Sequence, residues 1–86
     1  SVNVVAEPTS YQGKRGILIS PMPGWSAFEI FCDEGTPIGG TDEAPSPLGY
    51  LTSAIAFCML THLTGYLRKN PLSIRSIKVE MRGEYW

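Results

Sequence analysis

Cysteine is scarce in this 86-residue chain: Cys32 and Cys58 are the whole supply. Two thiols so far apart form no CxxC redox or zinc motif, and they are too few for the disulfide framework of a small secreted domain. A reducing, cytoplasmic setting is expected. Positive charge is also limited: Lys and Arg number 7 against 8 Asp and Glu, for a net charge of -1 and a pI near 5.7. Phosphate neutralisation needs clustered cations that outweigh the acids, whereas Lys14-Arg15 and Arg68-Lys69 are isolated pairs, so a nucleic-acid partner is excluded. Ser1 to Glu7 has neither the basic opening nor the apolar run of a signal peptide. From Ala44 to Leu67 charge is missing altogether, over nearly a membrane's thickness. Yet Pro45, Pro47, Gly49, Thr52, Ser53, Thr61, His62 and Gly65 make that stretch a poor lipid-facing helix, and no membrane partner is expected. There is one histidine, His62, and its nearest thiol is Cys58, with Asp42 and Glu43 only remote additions. One thiolate and one imidazole are a poor zinc set, so no metal and no cofactor is expected.

What the sequence does hold is apolar: 43% of residues are hydrophobic and 17% charged, the balance of a globular chain read as a single domain over residues 1–86. A domain this small buries only about 60–65% of its unfolded surface, so its core is marginal unless disulfides, metal or another chain assist. A partner chain is therefore an expectation of size alone.

Alternation and turn residues divide the chain into an α+β pattern. Val2, Val4 and Ala6 alternate with Asn3 and Val5, predicting a strand over about 2–6 that Pro8 ends. "SYQGKRG" reads as a turn, and a second strand is expected over about 16–20. After "PMPGW" a third is expected over about 27–33, with Phe28, Ile30 and Cys32 on one face and Glu29, Phe31 and Asp33 on the other. The three antiparallel strands would follow in hairpin order. "EGTPIGGTDEAPSP" reads as an exposed connection; its acids would be solvated, or would form a lid over a pocket beside the next element.

That element is a long helix over about 47–69. Ser46 suits the N-cap and Pro47 the first helical position, while Arg68 and Lys69 complement the C-terminal dipole and Asn70-Pro71 stop it. Apolar residues occupy nearly every side from Leu48 to Leu63, which predicts a central helix enclosed by protein. A last strand, about 74–86, is expected from Ile77, Val79 and Met81 alternating with Lys78, Glu80 and Arg82. Four strands and one helix leave apolar surface that something else must cover.

Chemistry concentrates at Cys58 and His62, four residues apart and so on one helical face. Cys58 is either a working thiol or a small core residue. Burial alone would raise its pKa and leave it inert, so a reactive thiolate would need a cation beside it, or His62 as cation or proton acceptor. Cys32 is read as a core thiol that could alternatively bridge to Cys58 if their α-carbons lie within about 7 Å.

The run "GGTDEAPSPLGYLTSAIAFCMLTHLTGYLRKNPLSIRSIKVEMRGEYW" resembles the OsmC/Ohr family of osmotic-stress and organic-hydroperoxide proteins. Its parts are a Gly-rich loop, a Ser-Pro helix start, a cysteine eleven positions after that proline, and an alternating strand; "GKRG" looks like the glycine-flanked turn that carries the family's arginine. The resemblance covers the first half of the family's usual domain. It implies an intertwined α+β dimer with thiol peroxidase activity, in which Cys58 would be the peroxidatic cysteine, Arg15 the thiolate-stabilising cation, and Cys32 a possible resolving or structural thiol. The family's glutamate after the helix-start proline falls at Leu48 or Gly49, and its second helix with the resolving cysteine lies outside the matched half. The expectation is therefore an OsmC-like half-domain completed by a second copy or by a separate C-terminal-half chain. It would use a buried Cys58/His62 site, or an apolar inter-chain pocket, for a small hydrophobic substrate or ligand; the alternative is reduction of an organic hydroperoxide at Cys58.

Overall fold

The computed structural model of the chain describes residues 1–70 and 76–85. It is an α+β arrangement whose elements run β1 (Asn3–Pro8), β2 (Lys14–Ile19), β3 (Phe28–Cys32), a short 3-10 turn (Thr36–Ile38) and α1 (Pro47–Lys69). Two compact units can be distinguished, Ser1–Pro47 and Leu48–Trp86.

In the first unit the strands form one antiparallel sheet in the order β1-β2-β3, the hairpin order that the alternating segments predict. The first turn is closed by Thr9 N–H to Gly13 O at 2.8 Å and by Gly13 N–H to Ser10 Oγ at 2.9 Å. Gly24, at φ 89°, supplies the positive φ in the second connection. The register pairs Glu7 with Arg15, Ala6 with Gly16, Gly16 with Ile30 and Lys14 with Cys32. With period 2, one face carries Val4, Ala6, Leu18, Phe28 and Ile30 around Gly16, and the other carries Glu7, Arg15 and Glu29 among Val5, Ile17 and Phe31. Gly16 is a notch in the apolar face: a Cβ there would meet Ile30 Cγ1 at 3.3 Å and Val4 Cγ1 at 3.7 Å. β2 begins earlier than the sequence pattern suggests, so Arg15 lies within a strand and not in the turn before it.

In the second unit α1 has the predicted limits. Asn70 closes it, donating its backbone N–H at 2.9 Å and its side-chain amide at 3.1 Å to Tyr66 O. Arg68 and Lys69 occupy the last turn. The expected enclosure is not provided by this chain: no residue of α1 is buried. By length and composition alone α1 is long and apolar enough to cross a membrane.

The last expected strand is not formed where it can be described. Residues 76–85 have no strand assignment, and 71–75 and 86 fall outside the described residues. A strand is defined by its ladder, and among the described residues 76–85 make no backbone–backbone hydrogen bond. What remains is an extended, alternating segment held to α1 by a 2.8 Å hydrogen bond between the hydroxyls of Tyr85 and Thr52.

Among the described residues no hydrophobic side chain is buried. Folding must offset about 1–2 kcal/mol of backbone entropy per residue, chiefly by removing apolar surface from water.

Candidate functional site

Cys58 and His62 lie one turn apart on α1, as their spacing requires. With Ile55, Met59 and Leu63 they line an open groove of about 450 Å³ whose wall is otherwise apolar. α1 places both on one face, and both are exposed. Neighbouring polar groups on the helix are satisfied locally, with Thr52 Oγ1 donating to Leu48 O at 2.8 Å and Thr61 Oγ1 to Phe57 O at 3.1 Å.

Arg15, expected from its sequence context to be a thiolate-stabilising cation, has other partners. Its Nε donates to the Glu29 carboxylate and its Nη1 to Glu7 Oε1 at 2.8 Å. Glu29 first, then Glu7, hold the guanidinium in its charged form and raise its pKa further. This follows from register: Glu7 stands directly across from Arg15 on β1, and Glu29 stands diagonally across on β3. One cation thus ties three strands together.

Cys32 ends β3, half-buried, its Sγ 3.8 Å from Asp33 O. Both cysteines are free thiols. Among the described residues no three or more His, Cys, Asp or Glu side chains gather in a manner able to hold a metal ion.

The residue that sequence reasoning missed is Asp33. Read as the last residue of the third strand, on the face of Glu29 and Phe31, it is 4% exposed and organises the loop between β3 and α1. Its Oδ1 accepts the Glu34 N–H at 2.8 Å, and its Oδ2 accepts Thr41 Oγ1 at 2.7 Å, Thr41 N–H at 3.3 Å and Glu43 N–H at 3.3 Å. The hydroxyl of Thr41 and then the Glu34 amide stabilise the carboxylate most, against the cost of burial, and lower its pKa to about 2. Its own N–H donates to Pro45 O at 3.1 Å. Around it the backbone takes forms that glycine permits: Gly39 has φ 93°, and a Cβ on Gly40 would collide with the Glu34 carbonyl. Asp42 adopts the left-handed region at φ 55°. Beside this loop a cavity of about 170 Å³ is lined by Thr9, Ser10, Lys14, Cys32, Asp33 and Glu43 among others. Lys14 Nζ is held there by Gln12 O at 2.7 Å and Glu34 Oε2 at 3.4 Å. The sequence signal available was the density of glycine and proline between residues 34 and 47, which marks a tightly folded loop as readily as a loose one.

No protein-family model, no curated protein and no solved structure matches the chain.

Proposed function

We propose that the chain is an OsmC-like half-domain that has diverged from peroxide reduction. In this reading α1 offers Cys58, His62 and their apolar surround to a small hydrophobic substrate or ligand in the cytoplasm, once a second copy or a separate C-terminal-half chain covers the helix. The observation that carries this reading is the composition of the groove: one thiol and one imidazole a turn apart, in a wall otherwise made of Ile55, Met59 and Leu63. An apolar wall with a few polar groups is the usual lining of a small-molecule site, and here α1 supplies one such wall. The pair is suited to nucleophilic chemistry on a carbonyl. His62 takes the Cys58 proton, the sulfur forms the bond to the carbonyl carbon, and the leaving group departs with a proton returned by the imidazolium.

Two features weigh against peroxide reduction. Arg15 is engaged by Glu7 and Glu29, and Leu48 and Gly49 stand where the family has an ionisable partner for that arginine. Exposure of the Cys58 thiol favours the second reading, a thiol-dependent organic hydroperoxide peroxidase completed by the partner chain, because a peroxidatic thiolate needs open approach. The two readings separate on one pair of assays. An activated apolar ester should release one equivalent of its phenolate per chain in a burst that Cys58→Ser and His62→Ala both abolish. Cumene hydroperoxide should be consumed in one equivalent to leave Cys58 as sulfenic acid, or in two where that acid is oxidised on to sulfinic acid, with no sustained cycle. Sustained dithiol-dependent turnover of the hydroperoxide, unchanged by Cys32→Ser and His62→Ala, would replace the first reading with the second.

A further inference from the structure

The cavity of about 170 Å³ beside the Asp33 loop lies within the first unit and is lined by no residue of α1. Two chain segments form it, and they differ in what they offer. The turn between β1 and β2 contributes donors, with Thr9, Ser10 and Lys14 in the lining. Gly13 lets the two hydroxyls gather there, because a Cβ on it would meet Ser10 Oγ at 2.5 Å and Thr9 Oγ1 at 2.8 Å. Lys14 Nζ donates to Gln12 O and to Glu34 Oε2, which leaves it a third N–H. The loop between β3 and α1 contributes an acceptor, Glu43. Among the described residues neither the Glu43 carboxylate nor the Thr9 hydroxyl has a hydrogen-bond partner. Asp33 also lines the cavity, but its oxygens are committed to the amides of Glu34, Thr41 and Glu43 and to the Thr41 hydroxyl.

We propose that this cavity binds a small zwitterion, a free α-amino acid with a short side chain, its carboxylate received by Thr9, Ser10 and Lys14 and its ammonium by Glu43. Size and charge select the class. The volume falls below the roughly 300 Å³ at which sites for drug-sized ligands begin. It matches about six waters' share of liquid volume, the scale of glycine, alanine or serine. A lone anion would face Glu43, and the Lys14 charge is already countered by Glu34 at 3.4 Å. A lone cation would face Lys14, and among the described residues no metal-binding cluster gathers. A zwitterion meets donors and acceptor together and leaves neither charge unpaired. Asp33 prepares the site, because the hydrogen bonds it accepts fix the Thr41 and Glu43 backbone and spare binding the cost of ordering the loop. The inference is independent of the Cys58/His62 chemistry, since it involves neither residue.

The test is a titration of the full chain with L-alanine, followed through the amide resonances of Ser10, Gly13, Lys14 and Glu43. Saturable shifts at those amides are expected. N-acetyl-L-alanine, which lacks the ammonium, and L-alanine methyl ester, which lacks the carboxylate, should each bind about tenfold more weakly or worse, since each leaves a charged partner unmet. Lys14→Met and Glu43→Gln should weaken L-alanine by a similar factor, while Cys58→Ser leaves its affinity unchanged. The two analogues are read on the unmodified chain, so the outcome does not depend on whether a variant folds. Absence of saturable shifts with L-alanine would overturn the inference. Equal binding of the acetylated analogue would make the cavity an anion site, and equal binding of the ester a cation site; either result contradicts a zwitterion. So would L-alanine binding indifferent to both Lys14→Met and Glu43→Gln.

Discussion

The loop between β3 and α1 and the helix that follows it are opposites in how they meet their surroundings. The loop is polar and rich in glycine and proline, yet each of its turns is fixed: one carboxylate, Asp33, accepts from Glu34, Thr41 and Glu43, and the Gly39 and Gly40 amides close onto Thr36 and Gly35. The helix is apolar along nearly its whole length and none of its residues is buried. Hydrogen bonds are local and directional, so a short segment can satisfy them by itself; hydrophobic stabilisation scales with area removed from water and needs a second surface. Among the described residues the first requirement is met within the loop, and no hydrophobic side chain meets the second.

Breaking the loop should produce the largest effect within a single chain. Asp33→Ala removes the shared acceptor, and the amides of Glu34, Thr41 and Glu43 should then exchange at close to unprotected rates while those in the middle of α1 keep theirs. Gly40→Ala, forced against the Glu34 carbonyl with backbone on both sides, should cost about 2 kcal/mol or more, read as a lowered denaturation midpoint. Gly39→Ala should cost less, about 1 kcal/mol for its positive φ, because the Tyr11 ring it would meet can swing aside.

The same carboxylate gives a pH signature. Its folded pKa of about 2 lies below the ordinary value near 4, so its contribution is fully present above about pH 4 and is lost as pH falls through about 2. Acid titration followed by the Thr41 and Glu43 amide resonances should show the loop loosening across that window. Asp33→Asn should start loosened and stay flat.

Arg15→Ala stands at the small end of the scale. Its ion pairs with Glu7 and Glu29 are solvent-accessible, and such pairs contribute little, so the denaturation midpoint should hardly move. If Arg15 instead supports a thiolate, the same substitution should raise the Cys58 pKa, read from the pH dependence of its alkylation.

The sequence announced those features that local pattern controls. Three strands in hairpin order were legible because Phe28, Ile30 and Cys32 alternate with Glu29 and Phe31. The limits of α1 were legible because Ser46-Pro47 and Asn70-Pro71 punctuate it. The pairing of Cys58 with His62 on one face followed from helical spacing alone. Asp33 was not legible, because its partners Thr41 and Glu43 lie eight and ten residues on across turns that carry no period. Arg15 was misplaced because its partners are set by strand register, which brings Glu7 and Glu29 to it from two other strands. Exposure of α1 and the missing ladder at residues 76–85 were not legible because an apolar or alternating pattern records which side chains suit burial or pairing and not which surface meets them.

Whether such a second surface is required is answered most directly by diluting the unmodified chain through the low micromolar range while following sedimentation and far-ultraviolet circular dichroism together. Loss of the associated species and loss of the helical signal should coincide, with no folded monomer between them. A monomer that keeps its helix and unfolds cooperatively at low micromolar concentration would contradict the account.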